Sequence, residues 1–341
     1  MSRYSRSELF PGIGPEGQKR LGGARLAIVG VGAIGTVAAE IAVRAGFGHV
    51  TLFDRDVVDE SNLQRQFLFE EEDARRGRPK AEAAAERLRA CNSTVSIRAV
   101  VEDLAADNAV ARLSGHDLLL DGSDNFETRF LVSDTGRKLA VPSIYAACVG
   151  SEGIVAVTRA QEGAPCLRCY LGALPRAGSG PTCDTAGVVP ALPPLVASLA
   201  MAEALRLGVG QPPSRGVLTL TVWEGDIRPV RAFARARPSP ECPVCAGNRY
   251  PALEGAESPE AVALCGRASV QVKPPRRERP DFDLLERALS RLGPVQRGEN
   301  VLSAEVEDVT LTVFSDGRCV VRGTADLDRA RRLCLKYVGR G

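Results

Sequence analysis

The hydrophobic pattern begins with an unbroken apolar run, Leu26-Ala27-Ile28-Val29, set off by Arg25 and closed by glycine. A short run of this kind reads as a buried strand. From Ala33 to Ala45 the Ala, Ile and Val positions recur at helical spacing, and His49 to Phe53 is a second apolar run, so the first fifty residues read as a βαβ unit. Pro79 and Lys80 open an Ala-rich amphipathic helix to Ala90, with proline near the first turn, where a missing N–H costs little. Val95–Val100 predicts a strand, and Asp117-Leu118-Leu119-Leu120-Asp121 predicts a central parallel strand followed by a helix that runs through Lys138. Ser143–Ala147 and Gly153–Val157 extend the sheet, Gly172–Pro190 reads as a crossover loop, Leu195–Leu207 as a helix and Val217–Trp223 as a strand.

The pattern then changes scale. Short apolar alternations at Ala268–Val272, Val301–Val306, Val309–Phe314 and Cys319–Arg322, with an Asp316-Gly317 turn, a helix at Phe282–Leu292 and a final helix, describe a small α+β unit. The expected organisation is a Rossmann-like doubly wound α/β domain over 1–250, a linker over 251–263 and a small α+β domain of unassigned role over 264–341.

Composition narrows the function classes. The 341 residues are 44% hydrophobic and 25% charged with a net charge of +2, and no long basic run gives reason to expect nucleic-acid binding. No stretch approaches the roughly 20 apolar residues of a membrane span, and Met1-Ser2-Arg3-Tyr4-Ser5-Arg6 is no signal peptide, so a cytoplasmic location is expected. The two histidines, His49 and His116, border apparent strands and read as structural.

Candidate chemistry gathers at strand ends. The turn carrying Gly30, Gly32 and Gly35 lets backbone amides and a helix N-terminus approach phosphates, and Asp54 follows where a carboxylate reaches ribose hydroxyls. That much suits NAD, FAD or ATP equally. Asn62, Arg65 and Gln66 lie just beyond, and Lys80 opens the next helix; these cationic and amide donors suit a polyphosphate. Asp124 offers the hard oxygen that Mg²⁺ prefers. Taken singly, Arg65 and Lys80 could be solvated charges and Asp124 a helix N-cap. The pairs Cys166/Cys169 and Cys242/Cys245 supply four thiolates, the number a structural Zn²⁺ takes.

Together the motifs resemble the E1-like adenylyltransferases of ubiquitin-like sulfur carriers, the ThiF/MoeB family. The matching pieces are Arg3-Tyr4-Ser5-Arg6, Gly17-Gln18, the Gly30 to Gly35 turn, Asp54 with Asn62-Leu63-Gln64-Arg65-Gln66, and Lys80. They continue with Asp121-Gly122-Ser123-Asp124-Asn125 and Arg129, both Cys-x-x-Cys pairs, and Cys183-Asp184-Thr185-Ala186-Gly187-Val188. The resemblance implies that the glycine turn and Asp54 bind ATP, Arg65 and Lys80 hold its phosphates, and Asp124 holds Mg²⁺. It further implies that Arg6 reaches the site of a neighbouring subunit in a homodimer, and that Cys183 can take up the activated carrier. The implied reaction is attack of a ThiS- or MoaD-like carrier's C-terminal glycine carboxylate on the α-phosphorus of ATP, with a sulfurtransferase or cysteine desulfurase as a further partner. Two other readings stand beside it: E1-like adenylation of a small-molecule or tRNA-linked carboxylate, and NAD-dependent oxidoreduction from the glycine turn alone.

Overall fold

The computed structural model describes residues 2–160, 164–172, 186–213, 217–223, 238–255, 268–272 and 279–338, and the backbone of 261–263. Two compact units divide it, Met1–Val100 with Leu104–Ser258 and Val101–Asp103 with Pro259–Gly341.

The first unit opens with two helices, α1 (Ser5–Leu9) and α2 (Gly14–Gly23), which the pattern of apolar positions does not reveal because few of their residues face a core. Strand β1 (Arg25–Val29) follows, then α3 (Ala33–Ala45) and β2 (His49–Asp54). Next come α4 (Glu71–Arg75), α5 (Lys80–Cys91), β3 (Ser96–Val101), α6 (Ala109–Leu113), β4 (Leu118–Asp121) and α7 (Phe126–Leu139). The unit closes with β5 (Ser143–Val149), β6 (Glu152–Thr158), α8 (Leu167–Leu171), α9 (Leu192–Gly208) and β7 (Val217–Thr221). Helix α9 begins three residues before the expected Leu195 because Pro193 and Pro194 occupy its first turn, where no N–H partner is lost.

The seven strands form one sheet in the order β3-β2-β1-β4-β5-β6-β7. Strands β2, β1, β4 and β5 run parallel, while β6 pairs antiparallel with β5 and β7 antiparallel with β6. Their register aligns Phe53, Val29, Asp121 and Tyr145 in one row, so the carboxyl ends of β2, β1 and β4 stop at one level while β5 runs on to Val149. Beneath that row Ala27, Val29, Phe53, Leu119, Phe130 and Tyr145 share a hydrophobic core. Fully burying each large side chain of this kind contributes about 1.5–3 kcal/mol.

Helix α3 ends at Gly46, whose φ of 85° is left-handed and whose N–H returns to the carbonyls of Ala42 and Val43. A Cβ at Gly46 would come within 2.6 Å of the Tyr4 ring, so the N-terminal segment lies at the amino ends of the strands. Asn92 Nδ2 donates to Tyr4 Oη at 2.8 Å and Gln18 Nε2 to the Ala45 carbonyl at 2.8 Å, pinning that segment there.

In the second unit β8 (Ala261–Ala263), β9 (Ser269–Val272), β10 (Val295–Arg297), β11 (Val301–Val306), β12 (Val309–Phe314) and β13 (Cys319–Arg322) form an antiparallel sheet, ordered β10-β11-β12-β13-β9-β8. One face packs Leu302, Leu311, Val313 and Val321 under α10 (Phe282–Leu289) and α11 (Leu327–Tyr337). Asp281 and Asp326 cap these helices through their carboxylates. The stretch 251–263 read as a linker is partly structured: Ala252 is buried with its N–H bonded to Asp134 Oδ2 at 3.1 Å, and Ala261–Ala263 is an edge strand. Its Pro, Gly and Glu content hides both contacts from a compositional reading.

Candidate active site and metal centre

Gly30 and Gly122 each stand one residue past the aligned row, at the ends of β1 and β4. Gly30 N–H donates to the Phe53 carbonyl at 2.8 Å and Gly122 N–H to the Val29 carbonyl at 2.9 Å, so the two turns leave the sheet side by side. The approach is too close for side chains. Gly30 has a φ of 86°, and a Cβ there would meet the Ser123 backbone at 2.9 Å; one at Gly35 would lie 1.8 Å from the Gly30 carbonyl oxygen. Gly32 is the N-cap of α3 and has no side chain to occupy the first-turn amides, which leaves them open to an anion.

Asp54 closes β2 and is buried. Its Oδ2 accepts from Val31 N–H at 2.6 Å and its Oδ1 from Asp56 N–H at 2.7 Å, so this carboxylate also holds the glycine turn in shape. Burial raises its pKa, and the Lys80 ammonium opposes the rise. Lys80 is itself buried, with Nζ 3.5 Å from Asp56 Oδ2 and its backbone N–H on the Asp56 carbonyl at 2.9 Å. Asp56 thus steers Lys80, a role hidden in the sequence because Asp56 reads as one more charge after the strand.

Asn62 sits in a 3₁₀ turn, Glu60–Asn62, where its Oδ1 accepts from Asp59 N–H at 3.2 Å. Gln66 is 4% exposed and lies against Gly32, its Nε2 3.8 Å from where a Cβ would stand. Its Oε1 is buried with no hydrogen-bond partner among the described residues. A buried polar atom left unsatisfied at the helix N-terminus is a place for a ligand to bond. Half-buried Arg65 donates from Nη1 to the Ser61 carbonyl at 2.7 Å.

On the β4 side Asp124 is exposed, and it is Asn125 that caps α7, accepting Thr128 N–H at 2.9 Å. Asp124 therefore has no capping duty. Arg129 bonds the Ser123 carbonyl from Nε and Nη2 at 3.3 and 3.1 Å, with its guanidinium 4.9 Å over Phe126 and 5.5 Å over Tyr145. This brace fixes the loop that presents Asp124.

Asp121 is 2% exposed; Oδ1 accepts Ser123 N–H at 3.0 Å, whereas Oδ2 has no partner among the described residues. Burial pushes its pKa from 3.8 up to about 6. The folded chain therefore holds this proton more tightly than an exposed carboxylate does, and the associated stability is present below about pH 4 and lost as pH rises through about 6. Asp121→Asn is expected to remove that dependence: relative to the variant, wild type gains about 2–3 kcal/mol in urea unfolding as pH falls from 7.5 to 4. A pH-independent difference between the two would refute it.

Arg6 is exposed on α1, at the opposite end of the unit. Helix α3 runs from the glycine turn to the Tyr4 contact at Gly46, and its 13 residues at about 1.5 Å each span about 20 Å, well beyond the reach of an arginine side chain. Cys183 lies outside the described residues, as does most of the expected crossover loop. His116 is structural, with Nε2 3.0 Å from Thr51 Oγ1 and Nδ1 3.1 Å from the Leu113 carbonyl.

The four cysteines of the two Cys-x-x-Cys pairs converge away from the strand ends, all Sγ atoms within 4.8 Å of one another. Cys166 Sγ stands 3.9 Å from Cys169 Sγ and 3.5 Å from Cys242 Sγ, and Cys169 Sγ 3.7 Å from Cys245 Sγ. Metal–sulfur bonds of about 2.3 Å in a tetrahedron separate sulfurs by about 3.8 Å, so the set fits a tetrahedral metal ion. Burial raises the Cys166 thiol and lifts Cys245 to about 11. A bound divalent cation would displace those protons.

Comparison with known proteins shows the family and the fold. The model of the ThiF family matches residues 4–244. The chain is 39% identical over 338 residues to the sulfur carrier protein ThiS adenylyltransferase of Bacillus subtilis, covering 99% of each chain. It is 40% identical over 251 residues to a sulfur carrier protein adenylyltransferase of Thermus thermophilus, covering 72% of this chain and 90% of that one. Among solved structures, E. coli MccB with ATP superposes with a TM-score of 0.60 at 22% identity, covering 72% of this chain and 74% of MccB, a likeness of fold alone.

Proposed function

The chain belongs to the ThiF family, and from that membership we propose that it is an ATP-dependent adenylyltransferase acting on the C-terminal glycine carboxylate of a ubiquitin-like sulfur-carrier protein. The observation that carries the reading is the convergence of the open α3 amides, buried Lys80, the unsatisfied Gln66 carboxamide and the Asp124 loop at one row of strand ends, in a chain aligned end to end with a ThiS adenylyltransferase. A hydride-transfer site would have no use for the Asp124 carboxylate, a hard-metal ligand, beside the α3 amides and Lys80.

In this reading the triphosphate lies at the N-terminus of α3, the Asp54 carboxylate takes ribose hydroxyls, and Arg65 and Lys80 neutralise phosphate charge. The amide nitrogens of Asn62 and Gln66 add uncharged donors beside them, and Gln66 Oε1 is left to accept from a ligand hydroxyl or amine. Asp124 would hold Mg²⁺, which when bound neutralises the phosphates and eases departure of pyrophosphate. One carboxylate oxygen of the carrier bonds to the α-phosphorus, the bond from that phosphorus to the bridging oxygen breaks, and pyrophosphate leaves with the electron pair. The carboxylate is already ionised near pH 7, so no base is required. That agrees with His116, which is taken up by Thr51 and the Leu113 carbonyl, and with His49, exposed at the amino end of β2. Catalysis then rests on positioning and charge neutralisation.

Arg6, too far from its own glycine turn, would act in the site of a second copy, making the enzyme a homodimer. Cys166, Cys169, Cys242 and Cys245 would bind structural Zn²⁺. Cys183 would take up the activated carrier, with a sulfurtransferase or cysteine desulfurase as sulfur donor, in thiamine, molybdopterin or tRNA thiolation in the cytoplasm. Among the described residues no helix is long and apolar enough to cross a membrane.

Exchange of labelled pyrophosphate into ATP tests the reaction. A purified carrier ending in Gly-Gly should raise exchange at least about 100-fold over the enzyme alone, and removing its last glycine should abolish the increase. Exchange independent of every carrier, or driven by a free amino acid, would overturn the reading.

A further inference from the structure

The cysteine centre and the Asp124 loop share one helix. The first cysteine pair lies along α7: Leu167 N–H reaches Ser133 Oγ at 3.4 Å, and Arg137 Nη1 reaches the carbonyls of Arg159 and Ala164 at 2.6 and 3.0 Å. Between the two cysteines of that pair stands Arg168. Its Nη2 is 3.3 Å from Asp134 Oδ2, and its guanidinium stacks 4.6 Å over Phe130. The same Asp134 oxygen accepts Ala252 N–H at 3.1 Å, from the chain just beyond the second pair. Asp134 is fully buried and the Arg168 side chain 11% exposed.

A buried ion pair is a poor device for stability, since apolar side chains of similar volume commonly serve as well, but its directional bonds fix how two elements register. Here one carboxylate oxygen on α7 receives a bond from within the first cysteine pair and another from the chain just beyond the second. The same helix carries Asn125 as its cap and Arg129 as the brace of Ser123, so movement of α7 moves Asp124.

We propose that Asp134 is a positioning residue: through Arg168 and Ala252 it couples the occupied four-cysteine centre to the placement of α7 and hence of the Ser123–Asn125 loop. The link gives the metal centre a part in magnesium–nucleotide binding 9 residues away along the helix from Asn125. It rests on Asp124 as the magnesium holder, and the experiment separates the two claims.

Full-length wild type, Asp134→Asn and Arg168→Met are compared with their metal content measured. Chelator stripping of wild type should speed amide hydrogen exchange at Thr128 and Arg129 about tenfold, and Asp134→Asn should do so with the metal retained. In pyrophosphate exchange Asp134→Asn should raise the Mg²⁺ concentration for half-maximal rate about tenfold while the rate at saturating Mg²⁺ stays within about twofold, and Arg168→Lys should recover part of the Arg168→Met defect. Unchanged protection of those amides in a folded Asp134→Asn or Arg168→Met chain overturns the proposal, as does a fall in saturating rate without a shift in Mg²⁺ dependence. Should Asp134→Asn not fold, the Arg168→Met protection pattern decides alone. Should wild type show no carrier-dependent exchange, the adenylation reading fails, and the hydrogen-exchange arm, which needs no activity, still judges the coupling.

Discussion

Asp124→Ala is expected to lower carrier-dependent pyrophosphate exchange by at least about 1000-fold while leaving stability within about 0.5 kcal/mol of wild type. Both halves follow from the same geometry. The carboxylate is exposed, and Asn125 performs the capping of α7, so removing Asp124 leaves the cap bond to Thr128 in place and costs only a long, exposed 3.4 Å bond from Asn125 Nδ2. A carboxylate with so slight a structural duty beside the open phosphate site has mainly a charge-holding function to lose. Rate is measured by exchange and stability by urea unfolding; a variant retaining a tenth or more of the rate would remove Asp124 from the mechanism.

The same variant tests the second copy. Asp124→Ala and Arg6→Ala should each be inactive alone, yet mixed and allowed to reassociate they should regain about a quarter of the wild-type rate, because half the dimers are mixed and each holds one intact site. No recovery from freely exchanging subunits would show that Arg6 serves no neighbouring site.

The second large effect is expected from one methyl group. Gly35→Ala would put a Cβ 1.8 Å from the Gly30 carbonyl oxygen, a collision with backbone rather than with a side chain that could swing aside. Relief requires α3 to back away from the β1 turn, which disturbs the Gly30 to Ser123 approach and the Val31 bond to Asp54 together. We expect a loss of about 3–5 kcal/mol in unfolding free energy and at least a 100-fold weaker ATP affinity by about the same cause, read by urea titration and calorimetry. Gly32→Ala is the control, since a Cβ there meets nothing nearer than Gln66 Nε2 at 3.8 Å. Equal damage from the two substitutions would mean that the crowding at Gly35 is not what the turn depends on.

Much of this protein was legible in its order of residues, for local reasons. Apolar runs and helical spacing located β1, α3, β2 and β4 within a residue or two, because those elements are buried on the sides their periodicity marks. The glycine spacing, the amide-rich stretch after Asp54 and the two cysteine pairs carry their chemistry in short segments. Helices α1 and α2 escaped because they are largely solvated and impose no apolar stripe. The Leu289 end of α10 fell three residues short of the expected Leu292, since Leu292 turns outward and is 56% exposed.

Residue type and near neighbours specify which groups are available: a phosphate turn, paired cations, a hard oxygen and four thiolates. What each group faces is set by the packing of the folded chain. Register across β2, β1 and β4 brings Gly30 against Ser123; Tyr4 on Gly46 holds Arg6 away from its own glycine turn; and Asp134 joins α7 to the cysteine centre. These are contacts between residues far apart in the chain, set by strand register and helix packing, and no local pattern encodes them.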